Sequence, residues 1–144
     1  MEPQDEIVDS PTSWVARHIR SYVESGGEKG HQWRGTQTAL LTTRGRKSGK
    51  LRRTPLIYGQ DGDRYILVAS LGGADHHPLW YLNLVADPEV TLQVGADVFR
   101  GHARTASPEE KQALWPLMVE LWPDYEQYQA RTDRDIPVVI ITRD

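Results

Sequence analysis

The hydrophobic positions of this chain follow a helical spacing near the N-terminus and an alternating one from about residue 38 onward. Apolar side chains recur at helical spacing from Trp14 to Val23, between the capping pair Ser10-Pro11 and the pair Gly26-Gly27. An N-terminal segment, residues 1–35, is therefore predicted to carry one amphipathic helix. Its single apolar stripe favours packing against its own domain. Peripheral membrane association through this helix is a second hypothesis, although the polar face is not strongly basic.

From residue 38 the pattern predicts strands. Residues 38–43 and 51–58 form a hairpin in this interpretation, with Pro55 at an edge, a bulge or a strand end. The almost wholly apolar residues 64–70 predict a central strand, entered through a tight turn at 61–63. Further strands are predicted at 90–94, 98–106 and 137–142, and a flexible loop at 71–75. Helices are predicted at 77–84 and 107–121, the second with a kink or restart at Pro116, and residues 124–131 form a short helical or turn segment.

The predicted order of elements determines the fold class. Consecutive strands are joined by hairpins rather than by helical crossovers, which excludes a doubly wound parallel sheet. We expect a mainly β (α+β) fold, a small antiparallel barrel whose gaps are filled by short helices. The barrel domain is assigned to residues 36–144, after the N-terminal segment 1–35.

Composition narrows the class of protein. With 144 residues, 38% of them hydrophobic and 26% charged, the chain has the composition of a globular domain. It has no apolar run near the roughly 20 residues that a membrane span needs, and the acidic residues 1–6 are unlike a secretory leader. A cytoplasmic location is expected. The absence of cysteine and the adjacency of His76 and His77 predict no metal site. The net charge of −3 predicts no nucleic-acid partner.

One segment departs from this acidic balance. Six positive charges lie within the ten residues from Arg44 to Arg53. Gly45 and Gly49 bracket the middle of the segment, where positive φ angles leave backbone N–H groups available to an anion. The segment predicts a cradle for phosphate or carboxylate groups, and a solvated turn rich in Lys and Arg is the alternative.

Aromatic side chains supply the second candidate feature. Tyr125 and Tyr128 lie three apart on a segment that looks exposed, and would share a helix face. Trp80 and Trp115 are more typical of core positions. An anion cradle joined to aromatic rings is typical of a site for a phosphorylated planar cofactor. Asp133 and Asp135 alternate with Arg131 and Arg134, which favours a surface salt network over an acid/base pair.

Residues 42–56, Thr-Thr-Arg-Gly-Arg-Lys-Ser-Gly-Lys-Leu-Arg-Arg-Thr-Pro-Leu, resemble the signature of the deazaflavin-dependent nitroreductase family of actinobacteria. Segments 68–73, 78–84, 122–128 and 132–138 are similar to later motifs of that family and occur in the same order. The resemblance implies a split β-barrel related to flavin-mononucleotide-binding oxidases. It also implies coenzyme F420, a 5-deazaflavin with a phospholactyl–oligoglutamate tail, as the cofactor.

The resemblance further implies roles for individual residues. The tail would be held by the basic turn, at Arg46, Lys47, Ser48, Arg52 and Arg53. The ring would be lined by Thr54, Pro55, Leu56, Ile57, Val68, Ala69, Ser70, Leu71, Leu79, Trp80, Tyr81, Leu82, Asn83 and Tyr125. Ser70, Tyr125 and Tyr128 are the candidate catalytic residues, as sources of a proton besides solvent.

The implied function is that of an oxidoreductase. It would transfer a hydride from C5 of the reduced deazaflavin to a quinone, an enone or a nitroaromatic compound, as a monomer or homodimer, without a protein nucleophile. Ile57, Leu71 and Trp122 replace a tyrosine, a lysine and a tyrosine of well-studied members, which argues against reduction of nitroimidazole drugs. Three alternatives remain: a non-catalytic protein that binds deazaflavin or a small apolar ligand, a polyanion binder, and a reductase that uses flavin mononucleotide.

Overall fold

The computed structural model describes residues 7–9 and 13–144, so the predicted capping pair Ser10-Pro11 and the acidic residues 1–6 lie outside the described residues. Within these ranges the strands are β1 (Ile7–Asp9), β2 (Gln32–Trp33), β3 (Thr36–Arg44), β4 (Leu51–Ile57), β5 (Gly59–Asp61), β6 (Arg64–Val68), β7 (Glu89–Val94), β8 (Asp97–Thr105) and β9 (Val138–Arg143). The helices are α1 (Ser13–Glu24), α2 (Leu79–Ala86), α3 (Pro108–Leu121) and α4 (Asp124–Arg131), with a 3₁₀ turn at Leu71–Gly73.

The strands form one sheet in the order β1-β4-β3-β7-β8-β9-β6-β5, and β2 pairs with β3. Every pairing in it is antiparallel except that of β1 with β4, which confirms the predicted α+β class. Strand β1 reaches along β4 only as far as Arg53. Pro55 pairs with Leu40 on one side, and on its other side none of the residues 7–9 and 13–144 forms a ladder with it, so its missing N–H costs no ladder bond there.

The sheet is curled around a single interior cluster. Strands β3, β6, β7, β8 and β9 each send alternate side chains into that cluster, and Leu56 of β4 packs against it. The buried members include Ala39, Leu41, Leu67, Leu92, Phe99, Val139 and Ile141. A flat sheet would spread these strands too far apart to share neighbours, so the sheet is a split β-barrel.

Helices cover the outer face of the barrel. Ile19 and Tyr22 of α1 are fully buried against Leu40 of β3. On the opposite side, α3 and α4 pack on β6 and β9, with Met118 against Ile140 among the contacts of that second cluster. Strand β9 is thus buried on both faces, which explains why its sequence is a continuous apolar run rather than an alternating one.

The predicted capping box at the start of α3 is confirmed. Ser107 Oγ accepts the Glu110 N–H at 3.2 Å, and the Glu110 carboxylate accepts the Ser107 N–H at 2.9 Å. The restart predicted at Pro116 does not occur, and α3 continues to Leu121. Buried contacts of Leu114 and Met118, on either side of the proline, hold the helix in one piece despite the lost hydrogen bond.

Candidate active site

A cavity of about 1180 Å³ opens between α1, the turn that joins β3 to β4, strand β4, the loop after β6, and α4. Pockets for organic ligands commonly measure about 300–1,000 Å³. The cavity is therefore large enough for a cofactor together with a second small molecule.

The β3–β4 turn forms one end of the cavity and is held tightly. The Gly45 N–H donates to the Lys50 carbonyl at 2.7 Å, and the Gly49 N–H donates to the Gly45 carbonyl at 2.9 Å. Gly49 has φ +73°, a conformation that favours glycine. A Cβ at Gly45 would lie 2.7 Å from Ser48 Oγ and 3.2 Å from the Lys50 carbonyl oxygen, so a side chain there would force Ser48 to move.

Asn83 of α2 fixes this turn from inside the protein. Its Oδ1 accepts the Arg46 N–H at 3.1 Å, and its Nδ2 donates to Thr43 Oγ1 at 3.3 Å. The backbone N–H of Arg46 is therefore hydrogen-bonded within the protein and is not available to a ligand. Within residues 7–9 and 13–144, no acceptor is found for the N–H groups of Lys47 and Ser48, which remain available to a ligand.

The cations of the turn differ in how they are paired. Arg46, Lys47 and Arg52 are exposed, line the cavity, and have no side-chain hydrogen bond or ion pair in the described part of the chain. Arg53 is held by Asp9 of β1, with Arg53 Nε to Oδ1 at 2.8 Å and an Nη2 contact to Oδ2 at 3.1 Å. The first three thus leave uncompensated positive charge at this end of the cavity, whereas the charge of Arg53 is already compensated.

Strand β4 and the loop after β6 form the walls of the middle of the cavity. Thr54, Pro55, Leu56 and Ile57 line it from β4, and Val68, Ser70 and Leu71 line it from the loop. The loop predicted to be flexible contains the 3₁₀ turn, in which Leu71, Gly72 and Gly73 have φ +45°, +63° and +83°. Leu71 is strained in this conformation, so neighbouring contacts must impose it.

Arg134 supplies those contacts, contrary to the surface salt network inferred for it. Its guanidinium donates to the carbonyls of Ala69, Ser70 and Ala74 and to His77 Nδ1, at 2.8–3.1 Å. The salt bridge of this segment is made by Asp135 with Lys111. The sequence did not reveal the role of Arg134, because the loop that it binds lies about sixty residues earlier in the chain.

Aromatic rings form the other end of the cavity. Trp33 and Trp122 contact each other at a tilt of 31°, with centroids 5.6 Å apart, and Tyr125 and Tyr128 meet edge to face at 6.1 Å. Trp122 Nε1–H donates to the Tyr128 hydroxyl oxygen at 3.3 Å, which leaves the phenolic proton of Tyr128 free to be donated.

Tyr125 is buried, with 5% of its surface exposed, whereas its segment was expected to be exposed. Its ring joins the cluster that contains Met118 and Ile136, because α4 packs against α3 and β9. Burial, followed by the proximity of Tyr128, raises the pKa of Tyr125 well above its ordinary value. The Tyr125 hydroxyl therefore stays protonated and acts as a neutral hydrogen-bond donor.

Most of the predicted site residues line this one cavity. They are Arg46, Lys47, Ser48, Arg52, Arg53, Thr54, Pro55, Leu56, Ile57, Val68, Ser70, Leu71, Leu79, Trp80, Asn83, Tyr125 and Tyr128. Ala69, Tyr81 and Leu82 do not line it. Ala69 is fully buried beneath the loop, and the Tyr81 hydroxyl bonds Thr105 Oγ1 at 2.8 Å beside a smaller cavity of about 190 Å³.

Several lining residues were missed from the sequence. Val8, Asp9, Trp14, His18 and Trp33 enter the cavity from the N-terminal segment, and His76, His77 and Pro78 from the loop before α2. The sequence contained one signal for them, because Trp14 and His18 are four apart and so lie on the same face of α1. The structure adds that Trp14 is 55% exposed despite its size. Short strands such as β1 and β2 carry too few residues to show an alternating pattern.

A split β-barrel whose cavity joins unpaired cations to aromatic rings defines a class of oxidoreductase that binds a flat cofactor with an anionic tail. The chain matches the sequence profile of the F420H(2)-dependent quinone reductases over residues 14–143, and it belongs to that family. This membership confirms the predicted type of enzyme, an F420H2-dependent reductase, and the predicted cofactor, coenzyme F420.

Individual relatives agree with this assignment. An F420H(2)-dependent quinone reductase of Mycobacterium tuberculosis H37Rv is 38% identical over 143 residues, which cover 90% of this chain and 96% of the relative. A solved F420-H2 dependent reductase, FDR-A, has 45% identity and a TM-score of 0.67, covering 72% of this chain and 92% of that one. A structure described as a domain-swapped dimer has 40% identity and a TM-score of 0.70, and the match covers 92% of this chain and 99% of that one.

Proposed function

We propose that this chain binds reduced coenzyme F420 in the cavity between the basic turn and the aromatic end, and transfers its hydride to a quinone. The observation that carries the proposal is the continuity of the cavity. Cations without internal partners among the described residues and the two tyrosines of α4 line one continuous open cavity. A cofactor that combines a polyanionic tail with a flat ring fits both ends at once.

The basic turn would hold the tail. Arg46, Lys47 and Arg52 offer charges without internal partners, and the N–H groups of Lys47 and Ser48 offer two more donors. Because Asn83 and the two glycines fix the turn, little ordering entropy would be lost on binding. Charge-assisted hydrogen bonds of this kind contribute about 1.5–3 kcal/mol each when shielded and about 0–1 kcal/mol when solvated.

The middle of the cavity would hold the ring. Pro55, Leu56 and Val68 line it from two walls with apolar surface, which limits the access of water. The bound coenzyme supplies the two-electron hydride chemistry. The residues of the chain orient the ring and the acceptor so that the reacting atoms come into contact.

The aromatic end would receive the acceptor. Tyr125 and Tyr128 each keep a hydroxyl proton for hydrogen bonding to a carbonyl oxygen of the acceptor, and Ser70 lies on the adjoining wall. Trp33 and Trp122 make this end flat and apolar. A quinone matches these surfaces better than a nitroimidazole does, and enones and nitroaromatics would be secondary substrates.

Membrane association and self-assembly are further parts of the proposal. In the described part of the chain, no helix is long and apolar enough to span a membrane. Trp14 is 55% exposed, Arg17 and Arg20 are exposed on the same helix, and Leu79 is 73% exposed by the cavity mouth. This surface would let a lipophilic quinone enter from a bilayer, and a homodimer is supported by the similar dimeric structure.

The enzymatic proposal is tested by anaerobic reoxidation of reduced F420. With menadione added, the absorbance of the oxidised coenzyme should return in the presence of the protein and should not return in its absence. A coenzyme that stays reduced with every quinone tried would leave only the binding function. Flavin mononucleotide and a single-stranded oligonucleotide, titrated in parallel, test the other two alternatives, since a polyanion binder would retain the oligonucleotide in a salt-dependent way.

A further inference from the structure

Arg134 holds one wall of the cavity in place through hydrogen bonds to its backbone, and the function proposed above gives these hydrogen bonds no role. The residue lies between α4 and β9, where its own N–H donates to Thr132 Oγ1 at 3.1 Å and its carbonyl accepts from Gln129 Nε2 at 2.7 Å. Its guanidinium bonds the carbonyls of Ala69 at 3.1 Å, Ser70 at 2.8 Å and Ala74 at 3.0 Å. One side chain thus fixes most of the loop 69–77.

These contacts decide where the N–H groups of the loop point. In a trans peptide, the C=O and the N–H of the same unit point in opposite directions. Since the carbonyls of Ala69 and Ser70 face Arg134, the N–H groups of Ser70 and Leu71 face away from it. Neither N–H meets an acceptor within the part of the chain that the structure describes, and both residues line the cavity. The loop therefore presents two free backbone donors.

His77 contributes a third donor. Its Nδ1 lies 2.9 Å from Arg134 Nη1, and the guanidinium has only protons to offer, so Nδ1 must accept and the ring proton must sit on Nε2. Burial, and then the positive charge of Arg134, lower the pKa of His77, so the ring stays neutral. His77 lines the large cavity, and no acceptor for Nε2–H is found among the described residues.

The surroundings of His77 contain few other charges. Besides Arg134, the titratable groups near it are Asp75 and His76 on its own loop, Tyr81 of α2, whose ring lies 4.8 Å away, and the ion pair of Lys111 with Asp135 across the smaller cavity. Asp75 is bound by His76 and lies in solvent. Arg134 is therefore the cation in direct contact with the imidazole, and it alone fixes the tautomer.

We propose that Arg134 is a positioning residue: it holds loop 69–77 so that the N–H groups of Ser70 and Leu71 and the Nε2–H of His77 form a row of donors for the carbonyl oxygens of the planar ring bound in the cavity. This inference rests on the proposed function, since it assigns the ligand of the donors to the deazaflavin. His77 is the residue that contacts the ring, and Arg134 acts through it and through the loop backbone.

The tautomer of His77 tests the clamp without any coenzyme. In the ¹⁵N spectrum of the wild-type protein, the neutral form of His77 should show an unprotonated Nδ1 and a protonated Nε2, and its pKa should lie below the ordinary value. In Arg134→Gln the pKa of the same ring should rise toward its ordinary value, because the neighbouring positive charge is gone while the burial remains, and Nδ1 should no longer be held as an acceptor. A wild-type His77 that is protonated on Nδ1, or that titrates normally, would overturn the inference.

Binding of oxidised F420 tests the row of donors. Loss of the loop geometry in Arg134→Gln should weaken binding by about 10-fold or more, since two or three hydrogen bonds are misplaced. Arg134→Lys should also bind weakly, because an ammonium cannot span three carbonyls and an imidazole. Arg143→Gln is the matched control: it removes a guanidinium from a surface pair with Asp97, away from the cavity, and should bind normally.

The variants of His77 separate a donor from a merely structural side chain. His77→Leu should weaken coenzyme binding by about 3- to 10-fold, His77→Gln should restore part of the loss through its amide N–H, and His102→Asn should have no effect.

Unchanged affinity in His77→Leu and Arg134→Lys would overturn this inference while leaving the proposed function intact. A raised KM for menadione with an unchanged coenzyme Kd would assign the donors to the acceptor and would also overturn it. If the wild-type protein does not bind F420, both proposals fail together. Should Arg134→Gln not fold, Arg134→Lys and the wild-type spectrum still decide.

Discussion

Replacing Lys47 and Arg52 together with alanine tests the anion-binding end of the cavity. Both side chains are exposed, line the cavity and lack partners in the described ranges, so their removal breaks no internal contact. We expect the thermal stability of the double variant to match that of the wild-type protein. Any change in coenzyme binding then reports lost ligand contacts rather than a damaged fold.

The size of the effect follows from the exposure of these side chains. A solvated ion pair contributes at most about 1 kcal/mol, and these two cations remain partly solvated with a ligand bound. The double variant should therefore lose about 1–2 kcal/mol, which raises the Kd for oxidised F420 by about 5- to 30-fold. Tryptophan fluorescence is a suitable signal, because Trp14, Trp33, Trp80 and Trp122 line the cavity. At about 1 M salt the difference between variant and wild type should nearly vanish.

A matched control removes one lysine and one arginine that do not line the cavity. Lys50 lies in the same turn and Arg100 on β8, both are exposed, and neither lines the cavity. Lys50→Ala combined with Arg100→Ala should change the Kd by less than about 2-fold, since only long-range attraction is lost. If the two double variants bind equally well, the turn does not hold the tail and the site is wrongly assigned.

Three further predictions concern stability. Tyr22→Phe should lower the free energy of unfolding, measured in urea, by about 1–3 kcal/mol. The reason is that the buried hydroxyl accepts the Gly95 N–H at 2.7 Å and donates to the Thr38 carbonyl at 2.9 Å. Tyr65→Phe is the control. Gly27→Ala should lower the melting temperature far more than Gly62→Ala, because both need positive φ but only at Gly27 would the Cβ meet backbone, 2.2 Å from Gly95 Cα. Hydrogen bonds from Arg104 and the Ser107 N–H hold the pKa of Glu110 at about 2, below its unfolded value, so this carboxylate stabilises the fold above its unfolded pKa and loses that effect as pH falls toward 2. Urea melts between pH 5 and pH 2 should therefore show a shallower loss of stability for Glu110→Gln, and an identical slope would contradict the reasoning.

The elements with strong local signals could be predicted from the sequence. The hairpin around the basic turn, the apolar strand β6 and the capping box of α3 depend on patterns within a few residues of one another. The parallel strand β1 could not be predicted, since its three residues pair with a strand more than forty positions later. The choice between a kink and a restart at Pro116 stayed open for a related reason: tertiary contacts of Met118, and not local propensity, keep α3 continuous.

The residues of the candidate site likewise fall into those that the local sequence reveals and those that only the fold reveals. The cations of the turn and the two tyrosines of α4 were found because composition marks them within a single segment. The pairing of Arg53 with Asp9 and the bonds of Arg134 to the loop were not found, because each joins segments that only the folded barrel brings together. An arginine beside two aspartates is usually a surface residue, and nothing local distinguishes one that turns inward.

In the proposed binding mode the two ends of the cavity have separate tasks. Affinity for the coenzyme would depend on Arg46, Lys47 and Arg52, which are charged and exposed, so we expect it to be sensitive to salt. The choice of acceptor would depend on Trp33 and Trp122, whose rings contact each other at a tilt of 31°. In this binding mode the ring lies between the two ends, against a wall to which loop 69–77 contributes. We therefore expect the guanidinium that fixes this loop to affect coenzyme affinity and the geometry of hydride transfer together.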